Sequence, residues 1–122
     1  MRKCAVILLL VLCIPLFAVP ASAVPVPLNA AEEAALTRFC AASADDLLAQ
    51  LSLAAVMLNR CADPRFPDQL TSVLASGGYA HAPVKDAAWQ TASCAVRLAA
   101  MGIDPTAGAL FWRQGKDGIE FW

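Results

Sequence analysis

The stretch from Leu47 to Leu70, LLAQLSLAAVMLNRCADPRFPDQL, most limits what this chain can fold into. Leu47, Leu51, Ala54, Ala55 and Leu58 recur at helical spacing, and Leu48 and Val56 widen the stripe. A helix with so many apolar positions has to be covered on several sides. The spacing predicts a central helix over about Asp45 to Asn59, with Ser43 as its cap and Asp46 three positions on. Asn59 and Arg60 end it with polar groups that can return to its free carbonyls or reach the C-terminal hairpin. A loop, Asp63-Pro64-Arg65-Phe66-Pro67, follows. Pro67 suits the first turn of a further helix, Pro67 to Ala75, which Gly77-Gly78 stops.

The elements around this helix follow from the same signals. Asn29 with Glu32 three positions later forms a capping-box pattern for a helix over Ala30 to Cys40. Leu36, Phe39 and Cys40 make its inner face. Glu32 and Glu33 fall in its first turn, where the helix dipole favours carboxylates, so they need no catalytic role. Ala41 to Ala44 is expected to break or bend the path. Pro83 opens a helix to about Met101, and Gly102 takes the stop position. Its inner residues Ala88, Ala92, Ala95, Leu98 and Ala99 are mostly alanine, which implies close packing on the central helix. Two aromatic runs, Ala109 to Arg113 and Ile119 to Trp122, flank a Gly-rich turn and read as a β-hairpin. The expected class is α+β and mostly helical: about four helices with a C-terminal β-hairpin.

The N-terminus reads as a leader. Arg2 and Lys3 precede an apolar run from Cys4 to about Val19, and Ala21-Ser22-Ala23 supplies an A-x-A signal with cleavage after Ala23. The expected organisation is a signal peptide over 1–23, an extended spacer over 24–28 that Pro25 and Pro27 hold open, and one domain over 29–122. Membrane contact is expected only through an uncleaved leader. The hydrophobic fraction of 59% is inflated by that segment. The formal net charge of −1 becomes −3 once Arg2 and Lys3 leave with it. This mild acidity gives no basic footprint for nucleic acid and no polybasic membrane patch. Cys40, Cys61 and Cys94 remain after cleavage. An exported chain can oxidise one pair of them and leave one thiol over, or keep them as small buried apolar residues. There is no C-x-x-C, and His81 is the single histidine, so neither a metal site nor a cofactor is expected.

Several blocks together resemble one family. Gln50-Leu51-Ser52-Leu53-Ala54-Ala55-Val56-Met57-Leu58-Asn59-Arg60 is similar to the Q-V-A-V-A-A-V-V-L-N-R helix of the spore-cortex-lytic cell wall hydrolases. Arg65-Phe66-Pro67-Asp68 resembles that family's x-F-P-x, and Val73 to Tyr79 its next segment. Asp104-Pro105-Thr106-Ala107-Gly108-Ala109-Leu110-Phe111-Trp112 resembles its D-P-T-G-G-A-L-Y-F. The likeness covers most of the chain after the leader, in order. The chain ends at Trp122, ahead of the family's last segment.

The resemblance implies a small lysozyme-like domain, secreted and associated with the cell wall, acting on the glycan strands of peptidoglycan as a glycosidase or lytic transglycosylase. Such cleavage needs a glutamic acid to protonate the glycosidic oxygen. The family's A-E-A-R-G-E run places that acid at Ala41, and its second acidic position at Asp45. A methyl group cannot donate a proton. The candidate catalytic residue is therefore Asp45, one turn away, with helix-terminal charge as the competing account of Asp45 and Asp46. Tyr79 and Trp112 match aromatic positions of the family and are the candidates for stacking on sugar rings. Trp89 reads as packing, and His81 as a solvated loop residue. The alternatives are a relative that binds peptidoglycan or a partner cell-wall protein without cutting, and a small exported interaction module using the aromatic hairpin.

Overall fold

A computed structural model describes residues 25–76 and 84–122. Helix α1 spans Ala30–Ser43. Its capping box forms as expected: the Glu32 amide donates to Asn29 Oδ1 at 2.8 Å, and the Asn29 amide donates to Glu32 Oε1 at 3.2 Å. Leu36, Phe39 and Cys40 are buried, joined by Thr37 and Ala41. The expected break after Cys40 does not occur. Ala41 and Ala42 are the strongest helix formers and carry the helix to Ser43, and the chain turns extended at Ala44.

Helix α2 spans Leu47–Ala62, and its cap is Asp46 rather than Ser43. Ser43 is already spent as the last residue of α1, while Asp46 Oδ1 accepts from the Ala49 amide at 2.7 Å. Every residue from Gln50 to Leu58 is buried, so α2 is the covered central helix. Leu47 and Leu48 depart from the expected stripe and stand exposed in the first turn of the helix. The helix also runs past Asn59, whose side chain reaches across to a distant loop instead of back to the helix end.

Helix α3, Leu70–Ser76, starts later than predicted. Pro67 to Gln69 form its approach, and Leu70 and Val73 are its buried residues. Helix α4 spans Asp86–Ala100. It starts later than the expected opening at Pro83, because Val84 and Lys85 stand outside the helix with Lys85 extended as its cap; Pro83 itself and the Gly77-Gly78 stop lie outside the described residues. Ala88, Ala92, Ala95 and Ala99 are buried as expected, with Val96 added, and Leu98 is half-buried. Gly102 ends α4 at φ 98°. Its amide bonds to Ala99 O and the Ile103 amide to Leu98 O, a Schellman-type close. The alanine face packs on α2, and α1 packs on both helices.

Strands β1, Trp112–Gly115, and β2, Gly118–Phe121, form an antiparallel hairpin with Trp112 opposite Phe121. Trp112, Ile119 and Phe121 pack against the helical core. Phe111, Arg113, Glu120 and Trp122 lie on the opposite, more exposed side. The described chain is thus a mostly helical α+β domain with four helices and a terminal hairpin. Cys40 is buried, Cys61 half-buried and Cys94 exposed, and none of the three is in a disulfide. Burial pushes the Cys40 thiol well above its ordinary range. No helix of the described residues is long and apolar enough to cross a membrane.

Candidate functional site

The end of α2 is latched to the loop before the hairpin. Asn59 Nδ2 donates to Asp104 Oδ2 and to Ala109 O, both at 3.0 Å. Arg60 Nε donates to Leu110 O at 2.7 Å, and its guanidinium lies over the rings of Phe66 and Phe111 at 5.0 and 5.7 Å. Asp104 organises the loop itself. Its Oδ1 accepts from the Thr106 amide at 2.8 Å and the Thr106 hydroxyl at 2.5 Å, and its Oδ2 also accepts from the Gly108 amide at 2.8 Å. Partial burial works to raise the Asp104 carboxyl, but the donors from Thr106, Asn59 and Gly108 outweigh it and hold it below the usual carboxylate range. Ala107 at φ 55° and Gly108 at φ 88° turn the chain so that these amides converge.

A groove of about 550 Å³ opens beside this latch. Val26, Leu58, Ile103 and Leu110 are among its apolar walls, and Asn59, Asp63 and Asp104 are its polar members. Val26 is held there by its amide, which donates to Ala100 O at 2.7 Å.

The sequence-predicted site residues are placed differently from one another. Ala41, the position of the expected acid, is 6% exposed in the last turn of α1 and belongs to the core cluster. Trp112 is half-buried, with its ring 6.0 Å from that of Phe39 on the same turn of α1. Trp112 and the Ala41 turn are thus brought together. Asp45 is exposed in the short link between α1 and α2, next to the Asp46 cap. Tyr79 and His81 lie outside the described residues. Trp89 is half-buried and carries the Arg38 guanidinium over its ring at 5.9 Å. Among the described residues there is no group of three or more His, Cys, Asp or Glu side chains that could hold a metal ion.

Gln50 is a residue that periodicity did not single out. It is fully buried, and its Nε2 donates to Ala44 O at 2.8 Å and Ala88 O at 3.1 Å, tying the end of α1 and the start of α4 to α2. Its Oε1 is buried with no hydrogen-bond partner. The available signal was one amide inside an apolar run.

Comparison with solved structures decides the fold. The catalytic domain of the germination-specific lytic transglycosylase SleB from Bacillus anthracis matches at a TM-score of 0.54 and 22% identity, over 75% of this chain and 80% of that domain. This chain has the fold of that catalytic domain. The catalytic domain of the Bacillus cereus SleB protein also matches, at a TM-score of 0.48 and 22% identity, over 73% of this chain and 76% of that one. No protein-family profile and no curated protein matches. The lysozyme-like, mostly helical α+β architecture expected from the A-A-V-x-L-N-R and D-P-T-x-G-A-L blocks is therefore the architecture present. Both blocks fall on the latch, where Asn59 and Arg60 meet the 104–110 loop.

Proposed function

We propose that this chain is an extracytoplasmic cell-wall protein that binds the glycan strands of peptidoglycan on a lytic-transglycosylase scaffold without cutting them. The observation that carries this reading is the buried methyl of Ala41, where the family resemblance expects the proton donor. Glycosidic cleavage needs a carboxylic acid beside the leaving oxygen, in an environment that keeps it protonated. Asp45 stands exposed in the helix link, without the desolvated wall such an acid uses. Misplacement by a turn of helix also breaks the alignment on which proton transfer depends. Trp112 and Tyr79 are the side chains proposed to stack on sugar rings. Residues 1–23 act in this reading as the leader that exports the chain, with removal after Ala23.

Pelleting with insoluble peptidoglycan tests binding, and mass spectrometry of the soluble fraction tests cutting. The chain should co-sediment and release no muropeptides, whereas Ala41→Glu should release them. A chain that stays wholly in the supernatant would sink the reading. Muropeptide release by the wild type that Asp45→Asn abolishes would instead establish a hydrolase with a displaced acid. Intact-mass measurement of the exported protein checks the leader.

A further inference from the structure

The groove beside the Asn59–Asp104 latch is separate from the turn that carries Ala41. Gln50 marks the level at which α1 ends on α2, because it donates to Ala44 O. Asn59 lies nine residues on, about 13 Å further along the helix axis. A sugar ring held at the Ala41 turn and stacked on Trp112 would therefore leave this groove free for another part of the same polymer.

The chemistry of the lining selects that part. Leu58, Ile103, Leu110 and Val26 supply apolar walls, and among the described residues no Lys, Arg or His lines the groove. The Asp63 carboxylate is already matched by the forked Arg65 guanidinium, at 3.0 Å to each oxygen. Among the described residues the Asp104 carboxylate is held by neutral donors alone, those of Asn59, Thr106 and Gly108. Its negative charge is thus ordered and, among the described residues, has no cationic partner. Asn59 uses its Nδ2 on Asp104 and Ala109. Asn59 Oδ1 makes no hydrogen bond to the described residues, and it accepts but cannot donate. An aliphatic stem ending in an ammonium group complements this combination: the methylenes meet the walls, and the charge meets the Asp104 field and the open amide oxygen. The volume falls in the range of small-ligand sites.

The geometry points to the groove as a seat for the peptide stem of peptidoglycan, gripped through the free side-chain amine of its diamino acid residue. This assignment rests on the peptidoglycan reading above, and goes beyond it by giving the peptide a site of its own. The glycan and its peptide would then be held at two levels of α2.

Calorimetric titration tests this with a synthetic Ala–γGlu–Lys–Ala tetrapeptide, free or acetylated on the lysine amine. The free peptide should bind. Acetylation should weaken it by about five-fold or more, the effect of losing one partly desolvated charge pair. Ile103→Lys, at the exposed rim, should abolish binding while leaving the circular dichroism spectrum unchanged. Equal affinity for the two peptides, or unchanged binding to Ile103→Lys, overturns the assignment. Sedimentation with intact peptidoglycan and with amidase-treated glycan lacking peptides separates the two readings. Stronger retention on the intact polymer, removed by Ile103→Lys, supports the groove. Equal retention on both overturns the groove and leaves the glycan reading standing. Retention on neither overturns both.

Discussion

Asp104 shows how much one side chain can hold. Four donors from three residues converge on it, and through Asn59 it joins the loop to the central helix. Asp104→Ala should destabilise the domain by about 1–3 kcal/mol in urea unfolding, because the half-buried donors of Asn59 and Thr106 lose a charged acceptor. Its carboxyl lies below the ordinary value in the folded state. The folded state therefore binds this proton more weakly than the unfolded chain does. The stabilisation is full above the unfolded pKa of about 4 and is lost as pH falls through the lower folded value. The acid limb of the wild-type stability curve should accordingly flatten in Asp104→Ala. At Ala107, φ is 55°, a conformation that costs a residue with a Cβ about 1 kcal/mol. Ala107→Gly removes that strain but loosens the unfolded chain. It should raise stability by about 0.5 kcal/mol, read as a higher urea midpoint.

At the scale of elements, the sequence was read most truly where one local signal acted alone. Asn29 and Glu32 form the capping box that their spacing announced, and the alanines of α4 face α2 as their period required. The misreadings came where two signals competed. Ser43 and Asp46 are both good caps, and the high helix propensity of Ala41 and Ala42 settled the choice by drawing Ser43 into α1. Leu47 and Leu48 fit the apolar period, yet a period says nothing about where the covering helices begin, and both are exposed. The latch was legible as the end of a buried helix, but its partners lie 45 to 50 residues away and no local pattern encodes them. Gln50 was illegible for the same reason, since its partners Ala44 O and Ala88 O are made by the tertiary corner. Gln50→Leu should cost about 1–2 kcal/mol by thermal or urea unfolding. Two carbonyls lose their donor, and the removal of the unpaired Oε1 offsets part of that loss.

For the whole molecule, the proposed reading separates scaffold from chemistry at one position. The described chain has the fold of a lytic transglycosylase catalytic domain, while in the proposed reading the turn at which the family resemblance expects an acid is closed over the methyl of Ala41. Placing a carboxyl in that turn tests the non-cutting reading directly. In Ala41→Glu the new side chain enters a site that is 6% exposed, where its ionised form loses hydration. Its folded pKa should therefore rise above the unfolded value of about 4.3. A raised carboxyl stabilises the folded state least when ionised. The cost of the substitution relative to wild type should be smallest below about pH 4. It should grow by about 1.4 kcal/mol for each pH step between the unfolded and the folded pKa, and level off above the latter. Paired urea titrations at pH 4 and pH 7 measure this directly. A larger penalty at pH 7 places the carboxyl in a desolvated turn, the setting in which a general acid keeps its proton. An equal penalty at both values means that the carboxyl has swung into solvent, where it could not protonate a glycosidic oxygen, and muropeptide release by the variant would then be lost as well.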